Sequence, residues 1–156
     1  MVKYNKNFQH LLNIKHINYK RLSGKYIEYE SNGKAKEYDS YDEHLIYEGE
    51  YLNRKRNGKG KEYNEYGRLI FEGFYLNGKR NGEGKQYFDD EDLKFKGEYL
   101  NGKKWNGKGY DRKGYIVYEL KNGNGFVKEY DDYARDLYFE GEYKNGEKKW
   151  KGNNIW

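Results

Sequence analysis

The sequence predicts an all-β protein, folded as an elongated single-layer ribbon of about six consecutive antiparallel β-hairpins. Three observations lead to this prediction: a segment recurs at a fixed period, rings and glycines alternate with charged residues inside it, and an Asn-Gly pair follows most copies. A period of roughly 20–50 residues is typical of repeat proteins, in which each unit buries its apolar face against its neighbours. The repeat therefore indicates architecture before it indicates any ligand.

The recurring segment begins at Leu45, where the residues read LIYEGEYLN. It returns 24 residues later at Leu69 as LIFEGFYLN, after 24 more at Leu93 as LKFKGEYLN, and finally at Leu137 as LYFEGEYKN. The last step spans 44 residues, which leaves room for one degenerate copy beginning near Gly114. Another degenerate copy, at residues 24–38, precedes the first, so we expect six units with the last one truncated.

Each unit has the alternation of a strand pair. Within residues 47–51, two rings and a glycine alternate with two glutamates, which places the rings on one face and the carboxylates on the other. After four or five turn residues, a second alternating run begins at Asn57. Later units carry Asn-Gly in the turn, as at Asn77, whereas the first consensus unit has Asn53 followed by Arg54. We therefore expect the first tip to bend differently.

The glycines predict rings that lie flat on backbone. Glycine usually weakens a strand through its conformational entropy, so many glycines in register need a packing reason. The predicted structural positions of the repeat are Tyr47, Gly49, Tyr51, Gly58, Gly60, Phe71, Gly73, Tyr75, Gly82, Gly84, Phe95, Gly97, Tyr99, Gly107, Gly109, Phe139, Gly141 and Tyr143.

Composition favours a thin aromatic core. Only 35% of the residues are hydrophobic and 37% are charged, values that approach those of disordered chains. However, the chain contains 20 Tyr, 7 Phe and 3 Trp, and such large amphipathic rings can form a core that a count of aliphatic residues would miss. There is no cysteine, so no disulfide and no thiolate metal site supports the fold.

The domain prediction is an array at residues 21–156 preceded by a cap or tail at residues 1–20. Phe8, Leu11 and Leu12 of that first segment have helical spacing. The first residues lack the apolar stretch of a signal peptide, and no apolar run has the length of a membrane span. We therefore expect a cytoplasmic protein, peripheral at a membrane if it binds lipid.

Charge is arranged by position within the repeat. The net charge is +5, but first strands carry mainly glutamate and second strands mainly lysine. Opposite charges across neighbouring strands stabilise a sheet, so much of this charge is expected to form a solvated, self-paired face. Phe74 stands where that face should carry a glutamate.

The hairpin tips form the candidate anion-binding ridge. Equivalent residues of successive hairpins lie about 10 Å apart, two strand spacings, so basic tips would line one long edge of the ribbon. The alternative is that these turns are simply polar and solvated. The candidate residues are Arg54, Lys55, Arg56, Lys79, Arg80, Lys103, Lys104, Lys148 and Lys149.

No residue pattern predicts catalysis, a metal or a cofactor. His10, His16 and His44 are scattered outside the consensus units, and the chain has no threonine or cysteine nucleophile. The acidic run at residues 89–92 lacks the spaced oxygen ligands and fixed glycine of a calcium loop. We therefore expect a protein that is not an enzyme.

The ring, glycine and Asn-Gly pattern resembles the MORN (membrane occupation and recognition nexus) repeat over about residues 22–152. The motif positions are filled at Tyr47/Gly49/Tyr51, Phe71/Gly73/Tyr75 and Phe95/Gly97/Tyr99. The resemblance implies a twisted, often trough-like ribbon of hairpins. Family members are mostly scaffolds for assembly and homodimerisation, acidic-lipid binding has been proposed for some, and similar repeats form predicted antitoxins. Arg54, the 25-residue first step and the weak fifth copy depart from the pattern.

We therefore expect a non-catalytic scaffold or adaptor that binds a protein partner through an aromatic trough and its hairpin edges. Homodimerisation through an open terminal strand, near Trp150 and Trp156, is a further expectation. One alternative is peripheral binding to acidic lipid through the basic tips, and another is antitoxin-like inhibition of a partner enzyme. Nucleic acid is disfavoured because the lysines face glutamates.

Overall fold

The computed structural model describes residues 24–30, 32–131 and 136–149, and every regular element in these ranges is a β-strand. The expected N-terminal cap and the tryptophan contact at the C-terminus lie outside the described residues. A membrane-crossing helix, which needs both length and apolar side chains, does not occur in the described part of the chain. The strands are β1 (Lys25–Tyr29), β2 (Lys34–Asp39), β3 (Leu45–Leu52), β4 (Lys55–Tyr63), β5 (Leu69–Leu76), β6 (Lys79–Tyr87), β7 (Leu93–Leu100), β8 (Lys103–Tyr110), β9 (Ile116–Leu120), β10 (Gly125–Tyr130), β11 (Leu137–Lys144) and β12 (Glu147–Lys149).

The strands follow one another in chain order. β1 to β9 form one nine-stranded antiparallel sheet, and β10 to β12 form a second sheet. This confirms the predicted all-β ribbon of consecutive hairpins. The ribbon is interrupted in the degenerate fifth unit. In this unit β9 and β10 pack against each other, but within the described residues the β-pairing between them is one isolated bridge, between Lys121 and Asn124, at the turn that joins them. There the run from the Asn-Gly turn to the closing tyrosine is two residues shorter than in the consensus, and Val127 replaces a glycine.

From β3 onward, the hairpin tips are two-residue turns with both residues in the left-handed region. Asn77 has φ 52° and Gly78 has φ 85°, as a type I′ turn requires. Asn53 and Arg54, with φ 50° and 61°, adopt the same conformation, so the expectation that the first tip bends differently is wrong. The hairpin imposes the turn, and Arg54 takes a conformation that costs a residue with a Cβ about 1–2 kcal/mol.

The core is a line of rings packed over glycines. Tyr47, Phe71 and Phe95 are completely buried. Phe71 contacts Tyr75 of its own strand at 5.6 Å and Tyr99 of the next hairpin at 5.1 Å, both edge to face. A Cβ added to Gly84 would lie 2.7 Å from Cζ of Phe71, so the ring occupies the space of the missing side chain. Each hairpin thus buries its ring against its neighbour.

Candidate functional site

The ring-bearing face of the sheet is covered by cations. The guanidinium carbon of Arg56 lies 4.2 Å from the centre of the Tyr47 ring, and that of Arg80 lies 3.9 Å from the Phe71 ring. One hairpin further along, Lys104 Nζ lies 5.1 Å from the Phe95 ring. These cation–π contacts, together with close ring packing, leave this face closed.

Two glutamates hold the arginines in place. The carboxylate of Glu37 accepts hydrogen bonds from Arg56 Nη2 at 2.6 Å and from the Tyr51 hydroxyl at 3.0 Å. Glu62 lies between Arg56, at 3.1 Å, and Arg80, at 2.5 Å. Burial raises the pKa of Glu62, but the hydrogen bond and charge of Arg80 outweigh burial and lower the pKa overall. The ion pairs therefore form a ladder that crosses the strands on the ring face, close to the hairpin tips.

The ladder changes partners at the junction of the two sheets. Gln86 occupies the position where the next glutamate would stand, and Lys104 turns instead to Glu129 of β10 at 3.1 Å. Glu129 also binds Lys148 of β12 at 2.8 Å and accepts a hydrogen bond from the Tyr138 hydroxyl at 2.7 Å. Burial raises the pKa of Glu129, but the two lysines and the tyrosine lower it to about 2. This buried carboxylate joins the small sheet to the long one.

The predicted anion-binding residues divide into two groups. Arg56, Arg80, Lys104 and Lys148 point to the ring face and are engaged in ion pairs. Lys103 pairs with Glu147 at 2.7 Å. The remaining candidates, Arg54, Lys55, Lys79 and Lys149, are exposed near the tips.

The open surface is a groove on the opposite, charged face. It has a volume of about 850 Å³ and runs from the turn after β1 to β7. Gly49, Gly60, Gly73 and Gly84 contribute to its floor, and lysines and glutamates form most of its walls. Phe74, 40% exposed, is the aromatic residue of this lining. The structure therefore corrects the expected aromatic trough, since the rings it was assigned to lie on the closed face.

Opposite charges on neighbouring strands line the walls of the groove. Glu72 of β5 lies opposite Lys61 of β4 and Lys85 of β6. Lys85 Nζ is 2.9 Å from the Glu72 carboxylate, which also accepts a hydrogen bond from the Tyr87 hydroxyl at 2.8 Å. Opposite charges thus alternate across the strands of this face, as the sequence predicts, and the ion pair formed among the described groove-lining residues is that of Glu72 with Lys85.

An acidic cluster with one histidine lies in the loop after β2. Ligand-type atoms of Asp39, Asp42 and His44 lie within 4.8 Å of one another. The Asp39 carboxylate accepts a hydrogen bond from the backbone N–H of Tyr41 at 2.7 Å, and His44 Nδ1 contacts the Asp42 carboxylate. Hydrogen bonds within the turn account for this arrangement, so we assign it no metal.

Comparison with known proteins adds little. No family model matches the chain, and no curated protein matches it. The resemblance to the MORN repeat therefore stays a prediction.

Several solved chains show partial similarity, of which two are described. One is a point mutant of S. aureus TarM in complex with fondaparinux, alpha-GlcNAc-glycerol and UDP, with 17% identity, a TM-score of 0.42, and coverage of 81% of this chain and 23% of that chain. The other is a crystal structure of TarM, with 19% identity, a TM-score of 0.35, and coverage of 90% and 24%. The chain thus spans about a quarter of the solved chains it matches. At these scores the similarity carries no functional argument.

Proposed function

We propose that this chain is a non-catalytic binding protein, a scaffold or adaptor, that holds an extended segment of a protein partner along the charged groove. The observation that carries the proposal is the ring of Phe74 within that groove. Its equivalents on neighbouring hairpins are Glu50 and Glu98. An exposed ring among fixed charges is the composition of a binding hot spot, with an apolar anchor surrounded by groups that set orientation.

The chemistry of the groove supports binding rather than catalysis. Its lining consists of lysine, glutamate, glycine, one alanine and Phe74. Histidine and serine, the usual partners in proton transfer and nucleophilic attack, are not among the lining residues.

The test is whether a partner depends on Phe74. The full-length chain, Phe74→Ala and Phe126→Ala would be used to capture proteins from the native cell. Phe126 is a matched control, because it is also exposed, at 55%, but lies on β10 outside the groove. A protein retained by wild type and Phe126→Ala would be purified, and its affinity for all three chains measured.

We expect Phe74→Ala to weaken direct binding about tenfold or more and Phe126→Ala to leave it within about twofold. Equal binding by Phe74→Ala and wild type would contradict the proposal, and so would equal losses in the two variants.

A second candidate function is peripheral binding to acidic lipid at the tip edge. Each of three successive tips presents an exposed leucine, namely Leu52, Leu76 and Leu100. Lys55 and Lys79 stand opposite the first two of these leucines across the turns and are exposed. Apolar side chains interspersed with cations can enter the boundary of an anionic membrane.

Vesicle flotation with and without acidic lipid tests this alternative. Lys55→Glu and Lys79→Glu are each compared with Lys113→Glu, which makes the same change of charge in the loop at the opposite edge. We expect the tip variants to float less with acidic vesicles than Lys113→Glu does. Equal flotation of all three would exclude binding by the tip edge.

A further inference from the structure

One row of charges crosses the sheet on the groove face, and its alternation breaks at a single place. The strand register puts these residues opposite one another in order: Glu28, Lys36, Glu48, Lys61, Glu72, Lys85, Lys96, Lys108 and Glu119. From Glu28 to Lys85 every neighbour has the opposite sign. Lys85 on β6 is then followed by two more lysines, Lys96 on β7 and Lys108 on β8.

The middle lysine of this triad has no compensating neighbour in the row. Lys85 is paired with Glu72, whereas Lys96 faces a lysine on either side and is exposed. Within the described residues, neither Lys96 nor Lys108 forms an ion pair. Like charges directly opposite each other destabilise a sheet, so this arrangement opposes folding.

Two acids lie beside the lysine triad without neutralising it. Glu83 and Glu98 are two residues away on β6 and β7 and face each other. The Glu98 carboxylate accepts a hydrogen bond from Asn106 Nδ2 of β8 at 2.6 Å, which draws it toward that amide. Neither acid forms an ion pair with Lys96 or Lys108, so these two lysines remain available to an anion from outside the chain.

We propose that Lys85, Lys96 and Lys108 bind an anionic side chain, a carboxylate or a phosphate, on an acidic segment of the protein partner. This inference rests on the proposed function of the groove. Lys85 and Lys96 line the same groove as Phe74. Phe74 lies two strands from Lys96 and is level with Glu98, two residues further along β7, so the two positions are about 12 Å apart. Alternate side chains of an extended segment point to opposite faces, so the two side chains that enter the groove must be an even number of residues apart. At about 3.3 Å per residue, a spacing of four residues, about 13 Å, fits best.

A single substitution separates binding from folding. Lys96→Glu restores the alternation of signs, so we expect it to raise the melting temperature while it removes the anion site. Lys113→Glu is the control, because it makes the same change in net charge in an exposed loop. A lower melting temperature for Lys96→Glu would overturn the premise that the triad is a repulsive cluster.

The probes are labelled extended peptides of about twelve residues with one tryptophan. Four residues from the tryptophan, on the same face of the extended peptide, they carry glutamate, phosphoserine or lysine. We expect the glutamate or the phosphoserine peptide to bind wild type in a salt-dependent manner and the lysine peptide not to bind. The tighter of the first two identifies the source of the anion. We expect Lys96→Glu to weaken that binding about tenfold or more and Lys113→Glu to leave it within about twofold.

Three results would overturn the inference: no saturable binding of either anionic peptide, equal binding by Lys96→Glu and wild type, or equal losses in Lys96→Glu and Lys113→Glu. Binding of acidic vesicles or single-stranded DNA by these lysines, without peptide binding, would also overturn it. If the partner captured through Phe74 still binds Lys96→Glu normally, the lysine site fails and the groove proposal stands. If the partner binds Phe74→Ala and Lys96→Glu as tightly as it binds wild type, both the groove proposal and the lysine site fail.

Discussion

At the scale of single residues, Gly73 lies where two strands and a ring approach one another. A Cβ at this position would be 2.7 Å from the carbonyl oxygen of Glu83, 2.7 Å from Cα of Gly84 and 2.8 Å from Cζ of Phe71. Two of these atoms belong to backbone and cannot move without distorting the sheet. We predict that Gly73→Val lowers the free energy of unfolding by about 1–3 kcal/mol in urea titration.

The control for Gly73 is Gly78, a glycine of the same hairpin kept for its conformation. It has φ 85° and nothing within 4 Å of an added Cβ. Asparagine adopts positive φ readily, so Gly78→Asn should change stability little. If the two substitutions cost the same, the close approach at Gly73 is not what the fold requires.

Arg80 shows why a tip residue can be part of the core. Its guanidinium lies over the Phe71 ring and pairs with the half-buried Glu62. We predict that Arg80→Ala lowers the free energy of unfolding by about 3 kcal/mol, because it leaves a buried carboxylate short of a partner. Lys79→Ala, next to it and exposed, should stay within about 0.5 kcal/mol. Equal losses of stability in Arg80→Ala and Lys79→Ala would mean that the ion pair of Arg80 with Glu62 is solvated and contributes little.

The sequence could predict the rings and glycines but not the side on which Arg56 and Arg80 lie. A turn of four or five residues would leave both at the tip, whereas the two-residue turn places Arg56 opposite Tyr51 and Arg80 opposite Tyr75. The alternation then assigns both arginines to the ring face. Their burial also depends on Glu37 and Glu62 of preceding strands. Because these glutamates belong to the preceding unit, the sequence pattern of a single unit does not predict the ion pairs.

At the scale of elements, Glu129 controls the junction of the two sheets. Its pKa of about 2, compared with an ordinary value of 4.5, means that folding favours the charged form. The corresponding stability, about 3 kcal/mol, is present above pH 4.5 and is lost as the pH falls toward 2. We predict that Glu129→Gln destabilises the protein at neutral pH and that its difference from wild type shrinks on acidification.

Urea unfolding of both proteins between pH 7 and pH 2 measures this effect. Glu37 and Glu62 also have lowered pKa values, so both proteins should lose stability in acid. The contribution of Glu129 is the difference between the loss of unfolding free energy of wild type and that of Glu129→Gln. A difference that stays constant across this range would show that the carboxylate is not held by Lys104 and Lys148.

The break between β9 and β10 shows which features of the strands the sequence could predict and which it could not. The weak fifth copy was visible in the sequence, because Val127 replaces a glycine and the run that follows the turn is short. That the sheet divides there is decided by pairing across the array, which a local pattern does not contain. The groove was missed for a similar reason, since its shape arises from the whole sheet, although Phe74 stood out in the sequence.

At the scale of the whole molecule, the array should tolerate loss of one complete unit. Deleting residues 64–87 removes 24 residues, so the end of β4 connects to the loop before β7 with the repeat in phase. Gly60 would then face Gly97 instead of Gly73, and Glu62 would meet Tyr99 and Lys104 instead of Tyr75 and Arg80. The same kinds of contacts form again, because each hairpin packs only against its neighbours.

We predict that this shortened chain keeps a β-type circular dichroism spectrum and unfolds cooperatively. Its m-value in urea should be smaller, since less surface is buried on folding. Deleting residues 76–87 is the matched control, because it removes β6 and its turn. β5 and β7 run in the same direction, so to keep their places in the sheet they would have to pair in parallel, which a loop this short does not allow. We expect the control to fail to fold. A shortened chain that is as unfolded as the control would mean that the hairpins are not interchangeable units, and that stability depends on contacts beyond nearest neighbours.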